Sequence, residues 1–137
     1  MFERCLYFNT NSLSRSLNAQ WELAFAEFGL SAPHAYLLRL ILATPGLNQQ
    51  SIALELKLEK STVARFLSAL EDKSLIKRTP SNSDQRGKTI YPTAKAKRMQ
   101  SDLDTCGQAL YEHMCKSIGK RRVDSFVKTA REINELL

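Results

Sequence analysis

Cysteine is scarce in this chain, with only Cys5, Cys106 and Cys115. An odd number without paired short spacing excludes a disulfide framework and a zinc finger. His113 and Cys115 come close in sequence, but two residues apart on a helix they point to different faces. No metal site or cofactor is expected. Long apolar runs are lacking too. The longest, residues 35–43, is interrupted by Arg39 and is far too short to span a bilayer. The opening Met-Phe-Glu-Arg is not a basic segment followed by an apolar core, so no secretory signal is expected. The chain reads as cytoplasmic, with no membrane partner. There is no P-loop, no GxGxxG, no nucleophile elbow and no pair of catalytic carboxylates. No nucleophile, base and orienting group can be assembled, so no catalytic residue is expected and an enzyme is excluded. Repeats and low-complexity linkers are absent as well.

What is present is a globular composition. The chain has 137 residues, 43% hydrophobic and 25% charged, enough for one domain with an ordinary core. Its net charge of +6 is unevenly placed. Residues 60–98 hold ten basic side chains against three acids, a balance of +7, so the rest of the chain is at −1. A basic block in a near-neutral chain suggests a surface for a polyanion, although a solvated basic face would give the same count.

Apolar spacing predicts mostly helices. Leu6, Leu13, Leu17, Trp21, Phe25 and Phe28 recur at helical steps over residues 4–28, and Gly29 ends that helix. Ser31 caps a second helix, with Pro33 in its first turn, that runs to about Ala43 before Pro45-Gly46. Asn48 caps a short helix to Leu56. A turn at Lys57-Leu58-Glu59 leads to another helix, Lys60 to Lys73, with Val63, Phe66, Leu67 and Leu70 inward. Leu75 to Thr79 and Thr89 to Tyr91 read as a β-hairpin. Thr93 caps a long helix from Ala94 to about Ile118. The last helix, from about Lys120, carries Val123, Phe126, Val127, Ala130, Ile133 and Leu137 on one stripe. The fold class is therefore mainly α with a small β-hairpin (α+β).

The segment QQSIALELKLEKSTVARFLSALEDKSLIKR carries the strongest signal. A helix-turn-helix needs a small residue where its helices meet, and Ala53 is placed for it. It needs apolar residues to seat the second helix, and Val63 and Phe66 supply them. The outward residues at the start of that helix can then reach base edges in a major groove. Ser61 and Thr62 are short donors and acceptors, and Arg65 can reach a guanine or a phosphate. An amphipathic helical hairpin with a polar face is the bland alternative. Lys57 stands where such turns often have glycine, and Glu59 is a poor N-cap. The basic hairpin downstream completes a winged helix. In its loop, SNSDQRGKTIYP, Arg86 is a candidate probe of a narrow minor groove. Asp84 could orient it, or could bond only to nearby backbone amides. Gly87 is expected to give the loop its tight backbone.

At these residues the sequence resembles the MarR family of bacterial transcriptional regulators. The resemblance is carried by STVARFLSALEDKSLIKRTPSNSDQRGKTIYPTAKA and, less specifically, by the long flanking helices. It covers nearly the whole chain. It implies a single MarR-like domain over 1–137, with dimerisation helices at 1–30 and 95–137 around a winged-helix DNA-binding lobe at 31–94. It implies an obligate homodimer joined through Phe2, Leu6, Val123, Phe126, Val127, Ile133 and Leu137. It implies a pseudo-palindromic operator in double-stranded DNA, with half-sites about 34 Å apart. Carried over by position, the DNA contacts are Ser61, Thr62, Arg65, Asp84, Arg86 and Lys88, the last to a phosphate. Ala96 takes a position that is commonly glycine in the family.

The resemblance also implies a repressor released by a small phenolic or anionic effector. Trp21, His34, Tyr36 and Arg39 lie on helices that would border its pocket, though core and surface packing would account for each alone. Cys5 is a second candidate switch, because RCLYFNTNSLSR resembles the start of the peroxide-sensing branch. That branch has a tyrosine one turn after its cysteine, where this chain has Asn9. A buried, inert Cys5 is the alternative. A winged-helix module for protein contact, without an operator, is the competing function.

Overall fold

The computed structural model describes residues 1–80 and 87–137. Among the described residues, six helices and three short strands follow in the order α1 (Leu6–Phe25), a 3-10 turn (Ala26–Phe28), α2 (Ala32–Ala43), β1 (Leu47–Asn48), α3 (Gln49–Leu56), α4 (Lys60–Asp72), β2 (Ile76–Pro80), β3 (Lys88–Pro92), α5 (Ala94–Ile118) and α6 (Lys120–Leu136). The expected class, mainly helical with a small sheet, is the one found. The chain forms two compact units, Met1–Asp104 and Thr105–Leu137.

Local chemistry sets the ends of the elements. Gly29 takes φ 68° and its N–H bonds Ala26 O, closing the 3-10 turn. Ser31 Oγ accepts from His34 N at 3.3 Å at the start of α2. Asn48 Oδ1 accepts from Ser51 N at 2.8 Å at the start of α3. Glu59 gives α4 no side-chain cap, as its carboxylate would be expected to do poorly. Lys57 adopts φ 55° at the end of α3, a left-handed conformation that glycine takes more cheaply.

The sheet is larger than a hairpin. β1 adds to it in the order β1-β3-β2, all antiparallel. Leu47 pairs with Ile90, and Arg78 pairs with Ile90 from the other side. β3 is thus the central strand. Side-chain alternation puts Ile76, Arg78, Ile90 and Pro92 on one face and Lys77, Thr79, Thr89 and Tyr91 on the other. The first face covers the core of unit one, where Phe25, Leu37, Leu38, Ile41, Ile52, Val63, Leu67 and Leu70 are fully buried. Phe66 differs from the expectation of burial. It is half-buried and meets the His34 ring edge-on, centroids 4.6 Å apart.

In unit two, Gly119 takes φ 106° between the last turns of α5 and the start of α6. Tyr111 Oη donates to Asp124 Oδ1 at 2.9 Å, and Lys120 Nζ donates to its other oxygen at 2.5 Å. The Lys120 hydrogen bond, with help from Tyr111, holds the Asp124 carboxyl below its usual range. α6 has no buried residue. Phe126 and Val127 are about half exposed at 52% and 51%, and Val123 and Ile133 are half-buried. At the other end of the chain, Phe2 and Leu6 are also exposed. No described helix is long and apolar enough to cross a membrane.

Candidate nucleic-acid interface

α4 is amphipathic. Val63, Leu67 and Leu70 seat it, and the opposite face is polar. Ser61 and Arg65 are exposed on that face, one helical turn apart, with Thr62 half-buried beside them. Arg65 donates to Thr62 Oγ1 at 3.4 Å, a long contact that leaves most of the guanidinium free. Lys88 is exposed where β3 begins. Its register puts it on the same sheet face as Arg78 and Ile90. Asp84 and Arg86 lie outside the described residues. Gly87 does not have the role expected of it. Its φ is outside the left-handed range, and an added Cβ would meet nothing within 4 Å.

The basic block is not all one surface. Lys73 Nζ donates to Gly29 O, and Lys95 Nζ donates to Lys73 O, each at 3.0 Å. Arg78 donates to Ser68 Oγ at 3.1 Å, and its Nε lies 3.5 Å from Glu71 Oε2. That Nε is buried and, among the described residues, has this ion-pair contact but no hydrogen-bond partner. These three cations are engaged within the fold. Lys60, Arg65, Lys77, Lys88, Lys97 and Arg98 stand exposed.

Between the starts of α3 and α4 and the base of the β2–β3 hairpin lies a cleft of about 390 Å³. Lys60, Lys88, Arg78, Gln49 and Gln50 are among its lining residues, and among the described residues no carboxylate is. Gln49 Nε2 donates to Lys60 O at 3.1 Å, tying the first residues of the two helices. The sequence reading missed Gln49, Gln50, Lys60 and Arg78 here. The paired amides after the Asn48 cap were the available signal.

Three of the expected effector residues meet. Trp21 Nε1 donates to Tyr36 Oη at 3.0 Å, and the Arg39 guanidinium lies 5.3 Å from the Tyr36 ring centroid. Arg39 Nε also pairs with Asp104 Oδ1 at 3.3 Å. His34 is not with them. It faces Phe66 on α4, and burial, then the Lys73 charge, lower its pKa while Glu22 opposes them. Cys5 is half-buried and caps α1, its Sγ accepting from Phe8 N at 3.4 Å. Asn9 Nδ2 bonds the carbonyls of Cys5 and Phe2 at 2.7 and 2.9 Å, tying down the same turn. Among the described residues, no His, Cys, Asp and Glu cluster could hold a metal.

A helix-turn-helix with a three-stranded wing sheet at its side defines a winged-helix protein. Residues 30–88, fewer than half of the chain, match the model of the MarR family. It is 28% identical over 88 residues to an uncharacterized HTH-type transcriptional regulator, YybA, of Bacillus subtilis (strain 168). That match covers 64% of this chain and 58% of YybA, so the chain spans less than two thirds of that relative. Among solved structures, the S. aureus MepR–DNA complex superposes with a TM-score of 0.86 at 19% identity, covering 98% of this chain and 100% of that one. The repressor CouR bound to a 23-mer DNA duplex gives 0.87 at 22% identity, covering 97% and 94%. CouR from Rhodococcus jostii RHA1 has also been solved with p-coumaroyl-CoA, with a TM-score of 0.80 at 21% identity, covering 97% and 94%. At these identities the structural likeness speaks for the fold.

Proposed function

We propose that this chain is a homodimeric, sequence-specific DNA-binding repressor released by a small phenolic or anionic effector. The observation that carries the reading is the outward face of α4. Ser61, Thr62 and Arg65 point away from a well-packed core, with Lys88 on the adjoining wing sheet. Such a face reads base edges, and the wing arginine, Arg86, with Asp84 as its orienter, reads the neighbouring minor groove. MepR and CouR, of the same fold, are DNA-bound in their solved complexes, which favours this use of the face.

The exposed apolar residues of the terminal segments support a second copy as partner, since surface of this kind is left bare mainly where another surface will cover it. A two-fold dimer then requires a pseudo-palindromic operator. The grouped Trp21, Tyr36 and Arg39 support an effector site with an aromatic wall and one cation. CouR, with its p-coumaroyl-CoA complex, offers a parallel for an aromatic, anionic ligand. His34 belongs to the packing of α2 on α4 in this reading.

A mobility-shift titration tests the central claim. The probe is the intergenic DNA upstream of the protein's own gene, at several salt concentrations. Tighter binding to that DNA than to random duplex is expected, weakening steeply with salt. Equal affinity for the two would refute sequence-specific regulation.

A further inference from the structure

The cleft between α3, α4 and the hairpin base has chemistry that the base-reading face does not use. Lys60 and Lys88 are exposed at its rim from two different elements, one on the recognition helix and one on the wing. Gln49 and Gln50 add amides, and among the described residues no carboxylate lines it. Arg78 supplies positive charge to the wall, but Glu71 and Ser68 already engage it. The two lysines are therefore the groups available to a ligand. Their ammonium groups suit a compact, multiply hydrogen-bonding anion, and the amides can donate to the same oxygens.

Position selects the anion. On one side of the cleft is the helix proposed for a major groove, and on the other the wing proposed for the next minor groove. In a duplex those two grooves are separated by a single phosphate backbone. A cleft between the two reading elements faces that ridge. We infer that it seats one backbone phosphate of the duplex, held jointly by Lys60 and Lys88 with Gln50. Gln49 acts as a positioning residue, because its bond to Lys60 O sets where α4 begins relative to α3. The seat fixes the register of the protein on DNA and carries no sequence information. The inference rests on the DNA-binding reading, and adds Lys60, Gln49 and Gln50 to it.

The test uses the full chain and 24-base-pair duplexes, one of random sequence and one of upstream intergenic DNA. First, single methylphosphonates, which remove one backbone charge each, are scanned along the intergenic duplex with wild-type protein. One sensitive position per half-site is expected to lose its effect in both Lys60→Gln and Lys88→Gln. Second, each variant should bind both duplexes roughly three- to tenfold more weakly, with the slope of log affinity against log salt reduced by about one per protomer engaged. Lys128→Gln, on α6, should leave that slope unchanged. Two separate sensitive positions, one for each lysine, would overturn the shared seat. So would unchanged salt slopes in both variants. Wild-type protein that binds neither duplex would instead sink the DNA-binding reading itself. A wild-type scan with no sensitive position in either half-site would also overturn the seat, and that outcome needs no variant.

Discussion

Thr93 joins the turn after α4 to the start of α5, and its hydroxyl is where the fold can be tested most sharply. Its Oγ1 donates to Ser74 O at 2.7 Å and accepts from Ala96 N at 3.2 Å. The first bond holds the turn after α4, where Ser74 itself sits at φ 59°. The second caps α5. Thr93→Val keeps the shape and removes both. Losing an N-cap costs about 1 kcal/mol. Losing the hydrogen bond to the exposed Ser74 carbonyl costs up to about 1 kcal/mol more. The sum is up to about 2 kcal/mol, or roughly 8 °C in melting temperature for a domain of this size. Urea unfolding at one fixed protein concentration should show a lower midpoint with an unchanged m-value, since little surface exposure changes. Thr93→Ser retains the hydroxyl and should lose less than half as much. If Thr93→Val unfolds within about 0.5 kcal/mol of wild type, the hydroxyl is not the joint described here.

Other expectations are open to direct measurement. Arg65→Ala should weaken operator binding by about 1–3 kcal/mol and relax discrimination at one base pair, measured on a panel of single-substituted operators. Lys57→Gly should leave stability unchanged or raise it by up to about 1 kcal/mol, because relief of the left-handed backbone outweighs the added freedom of the unfolded chain. A clear loss of stability there would contradict the cap geometry. His34 has its folded pKa below the ordinary 6.5, so it takes up its proton more readily when unfolded. Its contribution is intact above pH 6.5 and is lost as pH falls from there towards the folded pKa. Urea midpoints near pH 7 and pH 5 should differ less in His34→Gln than in wild type. Trp21 is the single tryptophan and is bonded to Tyr36, so an effector entering that group should change its emission, and Tyr36→Phe should reduce the change.

Much of this architecture was legible because its signals are local. Ser31 and Asn48 cap helices in the sequence pattern and in the fold alike. Val63, Leu67 and Leu70 repeat at helical spacing and are buried. β1 was not legible. Asn48 read as a cap and Leu47 had no assignment, and they become a strand only through distant partners, Thr89 and Ile90. Charge was legible as an amount but not as an arrangement. Lys73 and Lys95 counted towards a basic surface, yet their ammonium groups bind carbonyls of the chain itself. Phe66 shows the limit of periodicity, which orders residues by face but not by depth. Glycine at position 87 invited an argument about backbone freedom that its own conformation does not need. Within the candidate interface, Ser61, Thr62 and Arg65 could be named from spacing, and Lys88 only from the family resemblance. The cleft beside them could not, because three segments distant in sequence build it.

The placing of β3 between β1 and β2 gives the wing a fulcrum. A hairpin attached by one strand could swing without moving anything else. Here the strand that returns from the wing loop is also bonded to the two residues that immediately precede α3. A displacement of β3 would therefore be felt at the first turn of α3. Gln49 then passes it to the first residue of α4. The sheet and α4 are thus coupled through α3, so a tilt of one would be passed to the other.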